Sequence, residues 1–370
     1  MKVLIINTIE FSRINGITAV IMNYYRNMDK SNMQMDILAL NEIEEEFQCE
    51  FQKHHSRVFV YERRKHPFRY CIQLEKLLKK QEYDVIHIHG NSAMMLPEVL
   101  IAKLAGVPIR IVHSHNTTCS HLFLHSLFYP VFKRLYTHGF ACGQDAGKWL
   151  FRDQPFVEIK NGIELSQYAY AEKSRAFYRQ KINANGQKVI GHVGNFFEQK
   201  NHEFLIDMFA ELIRRNHNYL LVLISDGKLM DHIKAKVHAL HLDEYVIFLG
   251  KISNVYDYLQ AMDIFVLPSL FEGLPLALIE AQASGLTCLV SDTVAAEVNL
   301  THSIEYLSIQ NIDSWVTTIE KIAAEDLESD RSRRSMLWQK IIREAGYDMK
   351  ENAEQMGKLY WTYYKEYKGK

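Results

Sequence analysis

Little in this 370-residue chain points to a metal site, a membrane span or a nucleic-acid partner. The five cysteines, Cys49, Cys71, Cys119, Cys142 and Cys288, are scattered, odd in number and form no CxxC. That pattern argues against a disulfide framework or a thiolate zinc site, and small buried thiols in a reducing cytoplasm are expected. The 17 histidines are dispersed, and His87/His89 and His113/His115 have strand-like spacing with no acidic partner at ligand distance in sequence. No metal set emerges from them. A formal net charge of −1 gives no global field for a polyanion, so nucleic-acid binding has no support from charge. No stretch approaches the roughly 20 apolar residues of a membrane span. The opening KVLIIN is too short for the h-region of a secretory signal and is expected to be a buried first strand. What is present, 48% hydrophobic and 24% charged residues, describes a soluble globular protein long enough for two domains.

Apolar strand candidates alternate with helical patterns. KVLIIN, MDILAL, RVFVY, DVIHIHG and IRIVHSH are separated by amphipathic stretches such as ITAVIMNYYRNM and YCIQLEKLLKK. A second series follows residue 186: KVIGHVGN, YLLVLISDG, YVIFLG, DIFVLPS and TCLVSD. Two such series predict an α/β protein with two doubly wound, mostly parallel sheets. The expected domains are 1–165 and 186–347, joined by a linker at 166–185 bounded by Asn-Gly turns. The last segment, 348–370, reads as an aromatic helix that packs back on the first domain.

The densest chemistry lies in SLFEGLPLALIEAQASGL, after the strand IFVLP. Pro268, Gly273 and Pro275 break the chain, and LALIEAQAS reads as a helix ended by Gly285. Glu272 is therefore expected in a loop at the carboxyl end of a strand, where open α/β sheets bind ligands, and Glu280 on the helix leaving it. Lys200, in the loop before HEFLIDMFAEL, is placed to hold a phosphate at a helix N-terminus. Gly16, within RINGITAVIMNYY, stands where a small residue lets a ligand approach a helix entry, although an Asn-Gly turn without a ligand fits the same pattern.

In order and spacing, NGIEL, VGNFFEQKNHEFLI, ISDGKLMDHI, LGKISNVYDYLQAMDIFVLPS and Glu272-x7-Glu280 resemble the retaining glycosyltransferases of family 4, in particular bacterial enzymes that build exopolysaccharide or capsule repeat units. The resemblance implies the GT-B architecture, two Rossmann-like domains facing a central cleft. It implies a nucleotide-sugar donor, with uridine diphosphate the expected nucleotide, and a polyprenyl-diphosphate-linked saccharide acceptor. It assigns Glu280 to the ribose hydroxyls, Glu272 to the transferred sugar, and the Gly273 and Leu274 backbone N–H groups to the sugar or phosphate. Lys200 and the position of Asn195 contact the diphosphate, but the family normally has arginine where this chain has Asn195, and asparagine supplies no charge. His115 matches a histidine near the transferred sugar's 6-position, with His113 the alternative on the same strand. Asn161 and Gly162 are expected to shape the inter-domain crossover. No DxD motif is present, and the scheme needs no metal or other cofactor.

A lipid-linked acceptor predicts peripheral contact with the inner face of the cell membrane by a cytoplasmic protein. The stretches 63–80 and 121–138 interleave basic with apolar residues as surface-bound helices do, and the second is the more apolar. Two other readings share the nucleotide-binding half: a GT-B nucleotide-sugar epimerase, and a non-catalytic nucleotide-sugar-binding subunit, the latter motivated by Asn195.

Overall fold

A computed structural model describes residues 1–13, 15–63, 65–184, 186–325 and 329–369. Ile14 of the RINGIT segment, Arg64 of the first basic stretch and Asn185 of the expected second Asn-Gly turn lie outside them. The chain forms two compact units, 1–162 with 349–370, and 163–348.

The first unit opens with β1 (Lys2–Asn7), α1 (Gly16–Asn27), β2 (Gln34–Ala39), α2 (Glu45–Lys53), β3 (Val58–Val60) and α3 (Pro67–Gln81). It continues with β4 (Val85–Gly90), α4 (Leu96–Leu104), β5 (Ile109–Ser114), α5 (Leu122–Phe132), β6 (His138–Ala141), α6 (Gln144–Phe151) and β7 (Val157–Glu158). The strands form one parallel sheet in the order β3-β2-β1-β4-β5-β6-β7. Continuous apolar runs such as Val3–Ile6 are buried because helices cover both faces of the sheet.

The second unit contains α7 (Glu172–Lys181), β8 (Lys188–Val193), α8 (His202–Arg215), β9 (Tyr219–Ile224), α9 (Met230–Ala239), β10 (Val246–Gly250) and α10 (Val255–Ala261). Then come β11 (Ile264–Leu267), α11 (Leu276–Ala283), β12 (Thr287–Ser291), β13 (Ile304–Leu307), α12 (Ile312–Ala324) and α13 (Arg331–Glu344). Its parallel sheet runs β10-β9-β8-β11-β12-β13. Each sheet reverses strand order once, between β1 and β4 and between β8 and β11, and such switch points open a crevice at the strands' carboxyl ends.

The expected linker at 166–185 is corrected. Residues Leu165–Tyr168 form a 3-10 turn, α7 follows, and both belong to the second unit. Buried Arg175 donates to the carbonyls of Gln260, Ala261 and Met262 at 3.1–3.3 Å and pairs with Asp263 at 2.6 Å. These bonds satisfy carbonyls that the end of α10 leaves unpaired. The boundaries fall instead at Gly162 and Met349. A Cβ on Gly162 would lie 2.7 Å from the Met349 backbone nitrogen, so glycine permits that close approach. The final helix, α14 (Met349–Lys368), belongs to the first unit, where Met356 and Tyr360 are buried in the layer containing α1.

Candidate functional site

In the second unit, the β8–α8 and β11–α11 loops meet beside the switch point. After β8, Gly194 lets the chain turn under a lysine: a Cβ there would stand 2.9 Å from His192 Nε2 and 3.1 Å from Lys200 Cδ. Residues Glu198–Lys200 form a 3-10 turn, and Asn201, at φ 53°, swings the chain into α8. Lys200 therefore precedes the first turn of a 14-residue helix, whose unpaired N–H groups and dipole attract an anion. Its ammonium donates to Glu272 Oε1 at 2.5 Å, with the lysine and glutamate side chains 18% and 6% exposed.

This pair is fixed from several sides. Gln199 Nε2 donates to Phe271 O at 3.0 Å and Glu272 Oε2 at 3.3 Å, while Leu270 N donates to Gln199 O at 2.8 Å. Asn201 Nδ2 donates to Pro268 O, and Thr293 Oγ1 to Ser269 O. Gln199 and Thr293 escaped the sequence reading. Gln199 adjoins Lys200 in the QKN run and could have been flagged by that neighbour, whereas Thr293 had no local signal. Gly273 and Leu274 lie on the exposed part of the loop, and a Cβ on Gly273 would meet no described residue within 4 Å apart from its chain neighbours. Glu280 lies mostly buried in α11, and burial raises its carboxyl pKa, partly offset by a hydrogen bond from Tyr168. Asn195 Oδ1 accepts from Ser225 Oγ at 2.5 Å, a neutral contact that supplies no cation.

Two imidazoles lie beneath the lysine. His202, first residue of α8, stacks on Phe196 at 4.0 Å, and burial together with the Lys200 charge pulls its pKa down to about 4. His192 Nδ1 lies 2.9 Å from Val266 O, and burial holds this ring neutral as well.

In the first unit, Gly16 is the first residue of α1, exposed, and follows an Asn15 side chain that accepts from Ile17 N. His113 is fully buried in β5, whereas His115 stands one residue past β5 with part of its surface exposed. Strand pairing stacks four imidazoles: His87–His89 and His113–His115 have centroids 4.1 Å apart, and His87–His113 lie 5.3 Å apart and nearly parallel. His89 Nδ1 lies 2.9 Å from His115 Nε2. His87 Nδ1 lies 2.5 Å from the Tyr360 hydroxyl of α14. Burial and mutual repulsion push His87, His89 and His113 well below the usual histidine range, and burial takes His115 to about 3.

No metal set is apparent along the sequence, yet ligand nitrogens of His87, His89 and His113 lie within 4.8 Å of one another. Dispersal in sequence hid this grouping because it depends on β4 lying beside β5. The rings are stacked rather than fanned, so their in-plane lone pairs do not converge on one point. Among the described residues no carboxylate or thiolate joins the group. The arrangement does not fit a bound cation as it stands.

Also in the first unit, a cavity of about 890 Å³ opens at the carboxyl ends of β1, β4 and β5, lined by residues including Thr8, Arg63, Asn91, Asn116 and Phe128. Arg63 pairs with buried Glu98 at 3.1 Å.

The family model described as Glycosyl transferases group 1 matches residues 174–336, and that described as Glycosyltransferase Family 4 matches residues 14–167. The chain is 32% identical over 364 residues to the putative glycosyltransferase EpsF of Bacillus subtilis, covering 93% of each protein. It is 27% identical over 307 residues, 78% of each, to an Escherichia coli UDP-Gal:alpha-D-GlcNAc-diphosphoundecaprenol alpha-1,3-galactosyltransferase. The crystal structure of Anabaena HepE in complex with UDP superposes with a TM-score of 0.77 at 16% identity, covering 98% of this chain and all of that one. The chain belongs to the family 4 glycosyltransferases and has the GT-B fold of two Rossmann-like domains. It is an enzyme of the transferase class.

Proposed function

We propose that this enzyme moves a hexose or N-acetylhexosamine from a UDP-sugar to a lipid-linked saccharide, with retention of anomeric configuration, during exopolysaccharide or capsule synthesis. The observation that carries this reading is the Lys200–Glu272 pair ahead of α8. A cation suited to a diphosphate and a carboxylate suited to sugar hydroxyls are there joined by one hydrogen bond, which supports the reading. The named relatives support the substrate classes: the E. coli enzyme is described as using UDP-Gal and a diphosphoundecaprenol acceptor, and HepE was crystallised with UDP.

In this mechanism the donor diphosphate lies against Lys200 and the α8 N-terminus, with Asn195 contributing a neutral contact. Glu280 accepts from the ribose hydroxyls. Glu272 and the Gly273–Leu274 backbone orient the sugar, while His115 and Gly16 belong to the first unit's share of the substrates. The C1–O bond to the β-phosphate breaks as an acceptor oxygen bonds to C1 on the same face, and the acceptor's proton passes to the leaving phosphate. Stabilising the departing diphosphate charge supplies much of the rate, and a single preorganised donor is worth roughly 10²–10³ in such sites. No resident metal or other cofactor is required.

The cavity beside Arg63 is the proposed acceptor region. Near it, α4 packs against both α3 and α5; the two outer helices expose Phe68, Ile72, Leu122, Phe123 and Leu127 with Arg69 and Lys76, and exposed Lys133 and Arg134 follow α5. Apolar side chains beside cations suit the surface of an anionic membrane. No helix among the described residues is long and apolar enough to cross one.

The direct test is Glu272→Ala. Sugar transfer is expected to fall at least 100-fold while UDP affinity measured by calorimetry stays within about threefold; undiminished transfer contradicts the assignment. UDP binding without turnover of any UDP-sugar by the wild-type protein would instead favour a non-catalytic binding subunit, the reading Asn195 motivates.

A further inference from the structure

The loop that follows β11 is gripped by its backbone. Asn201 Nδ2 donates to Pro268 O at 3.2 Å, Thr293 Oγ1 to Ser269 O at 2.9 Å and Gln199 Nε2 to Phe271 O at 3.0 Å. Leu270 N in turn donates to Gln199 O at 2.8 Å. Residues 268 to 271 are thus held from the turn before α8 and from the chain just past β12, whose strands β8 and β12 flank β11. Gln199 extends this grip to a side chain, because its Nε2 also donates to Glu272 Oε2 at 3.3 Å. We infer that Gln199 is the positioning residue for Glu272: it keeps that carboxylate on the transferred sugar while Lys200 serves the diphosphate.

The partners of the amide decide which way it faces. A backbone carbonyl and a carboxylate paired with lysine both accept and neither donates, so the nitrogen must face them. A flipped amide would set oxygen against oxygen at both contacts. Both Nε2 hydrogens are therefore committed to this loop, one to Phe271 O and one to Glu272. Lys200 is a different kind of partner. Its ammonium bonds to Glu272 Oε1, and on the proposed function it also faces the donor diphosphate, so one cation serves two anions. Its hold on Glu272 weakens as charge develops on the leaving phosphate. A neutral amide has no second anion to serve, and Gln199 keeps the carboxylate in register through that step. With the Glu272 side chain 6% exposed, water is a poor substitute for either donor. This inference rests on the reading of Glu272 as the sugar contact.

The test is a double-mutant cycle on the full chain, read as UDP release from UDP-galactose, UDP-glucose and their N-acetylhexosamine counterparts with GlcNAc-diphosphoundecaprenol as acceptor. Gln199→Met keeps the length of the side chain and removes the amide. Its kcat is expected to fall on the order of 10- to 100-fold, with donor KM within about threefold and the Kd for UDP, by calorimetry, within about twofold. Wild-type UDP affinity also certifies that the variant is folded. Gln199→Glu, which cannot donate and sets a second carboxylate beside Glu272, is expected to be slower still. Glu272→Ala and Glu272→Ala/Gln199→Met should be equally slow, because an amide that acts through Glu272 then has nothing left to orient. Wild-type turnover by Gln199→Met or by Gln199→Glu overturns the inference. So does a further loss of about tenfold on adding Gln199→Met to Glu272→Ala, which would make the amide a general support of the loop. If Glu272→Ala itself turns over at the wild-type rate, the reading of Glu272 fails instead, whatever the Gln199 variants do.

Discussion

Replacing Lys200 by Met separates the two jobs of the Lys200–Glu272 pair. The glutamate side chain is 6% exposed, so removing its ammonium partner leaves a carboxylate in a nearly dry loop with the Gln199 amide, at 3.3 Å, as its remaining side-chain partner among the described residues. Breaking a fully buried pair from one side costs about 3–5 kcal/mol; the remaining amide and the lysine's 18% exposure reduce the expected loss to about 2–3 kcal/mol. Adding Glu272→Gln removes the stranded charge and should restore most of that stability, as read by urea unfolding of single and double variants. Nucleotide binding should behave differently. A charge-assisted bond to phosphate is worth about 1.5–3 kcal/mol, so UDP should bind Lys200→Met roughly 10- to 150-fold more weakly by calorimetry. The double variant should not recover it. An unchanged Kd in Lys200→Met, or a double variant that regains both stability and binding, refutes the assignment of Lys200 to the diphosphate.

Three further outcomes are expected. Native-state pKa values of His87, His89, His113 and His115 lie below the unfolded value, near 6.5, so the stability their neutral forms confer is complete above that pH and is lost as pH falls. Between pH 6.5 and 5.5 the loss should be about 1 kcal/mol per histidine in denaturant titrations, and constant stability over that range contradicts the burial account. Asn195→Arg should tighten UDP binding about tenfold by adding a charged fork, and equal or weaker affinity by calorimetry counts against a phosphate-facing position. Wild type should float with anionic vesicles in low salt and Leu122→Asp/Phe123→Asp should not; equal flotation of the two removes α5 from the membrane contact.

The strands that continuous apolar runs predicted lie in the two sheets. Those missed, β6 (HGFA), β7 (VE) and β13 (IEYL), are short or carry polar residues, so the sheet that receives them supplies the order their own sequence lacks. The segment taken for a linker was misread for a related reason. In α7 the attachment is made by Arg175 and Arg179 guanidiniums on Asp263 and on carbonyls at the end of α10, and a polar anchor leaves no apolar period to detect. The candidate site was legible as separate pieces. Lys200 and Glu272 were singled out for different ligand groups, but their contact spans 72 positions and depends on β8 pairing with β11. The two His-x-His pairs were equally visible, and their stacking required knowing that β4 and β5 are neighbours.

The central claim is tested most directly by supplying radiolabelled UDP-galactose, UDP-glucose, UDP-N-acetylglucosamine and UDP-N-acetylgalactosamine in turn, with GlcNAc-diphosphoundecaprenol as acceptor, and following label into the butanol-extractable lipid. The account predicts that at least one donor labels the lipid through an α-linkage, as the donor itself carries, and that Glu272→Ala abolishes it. A β-linked product contradicts retention. Nucleotide binding with no label moved from any of the four contradicts the proposed transfer.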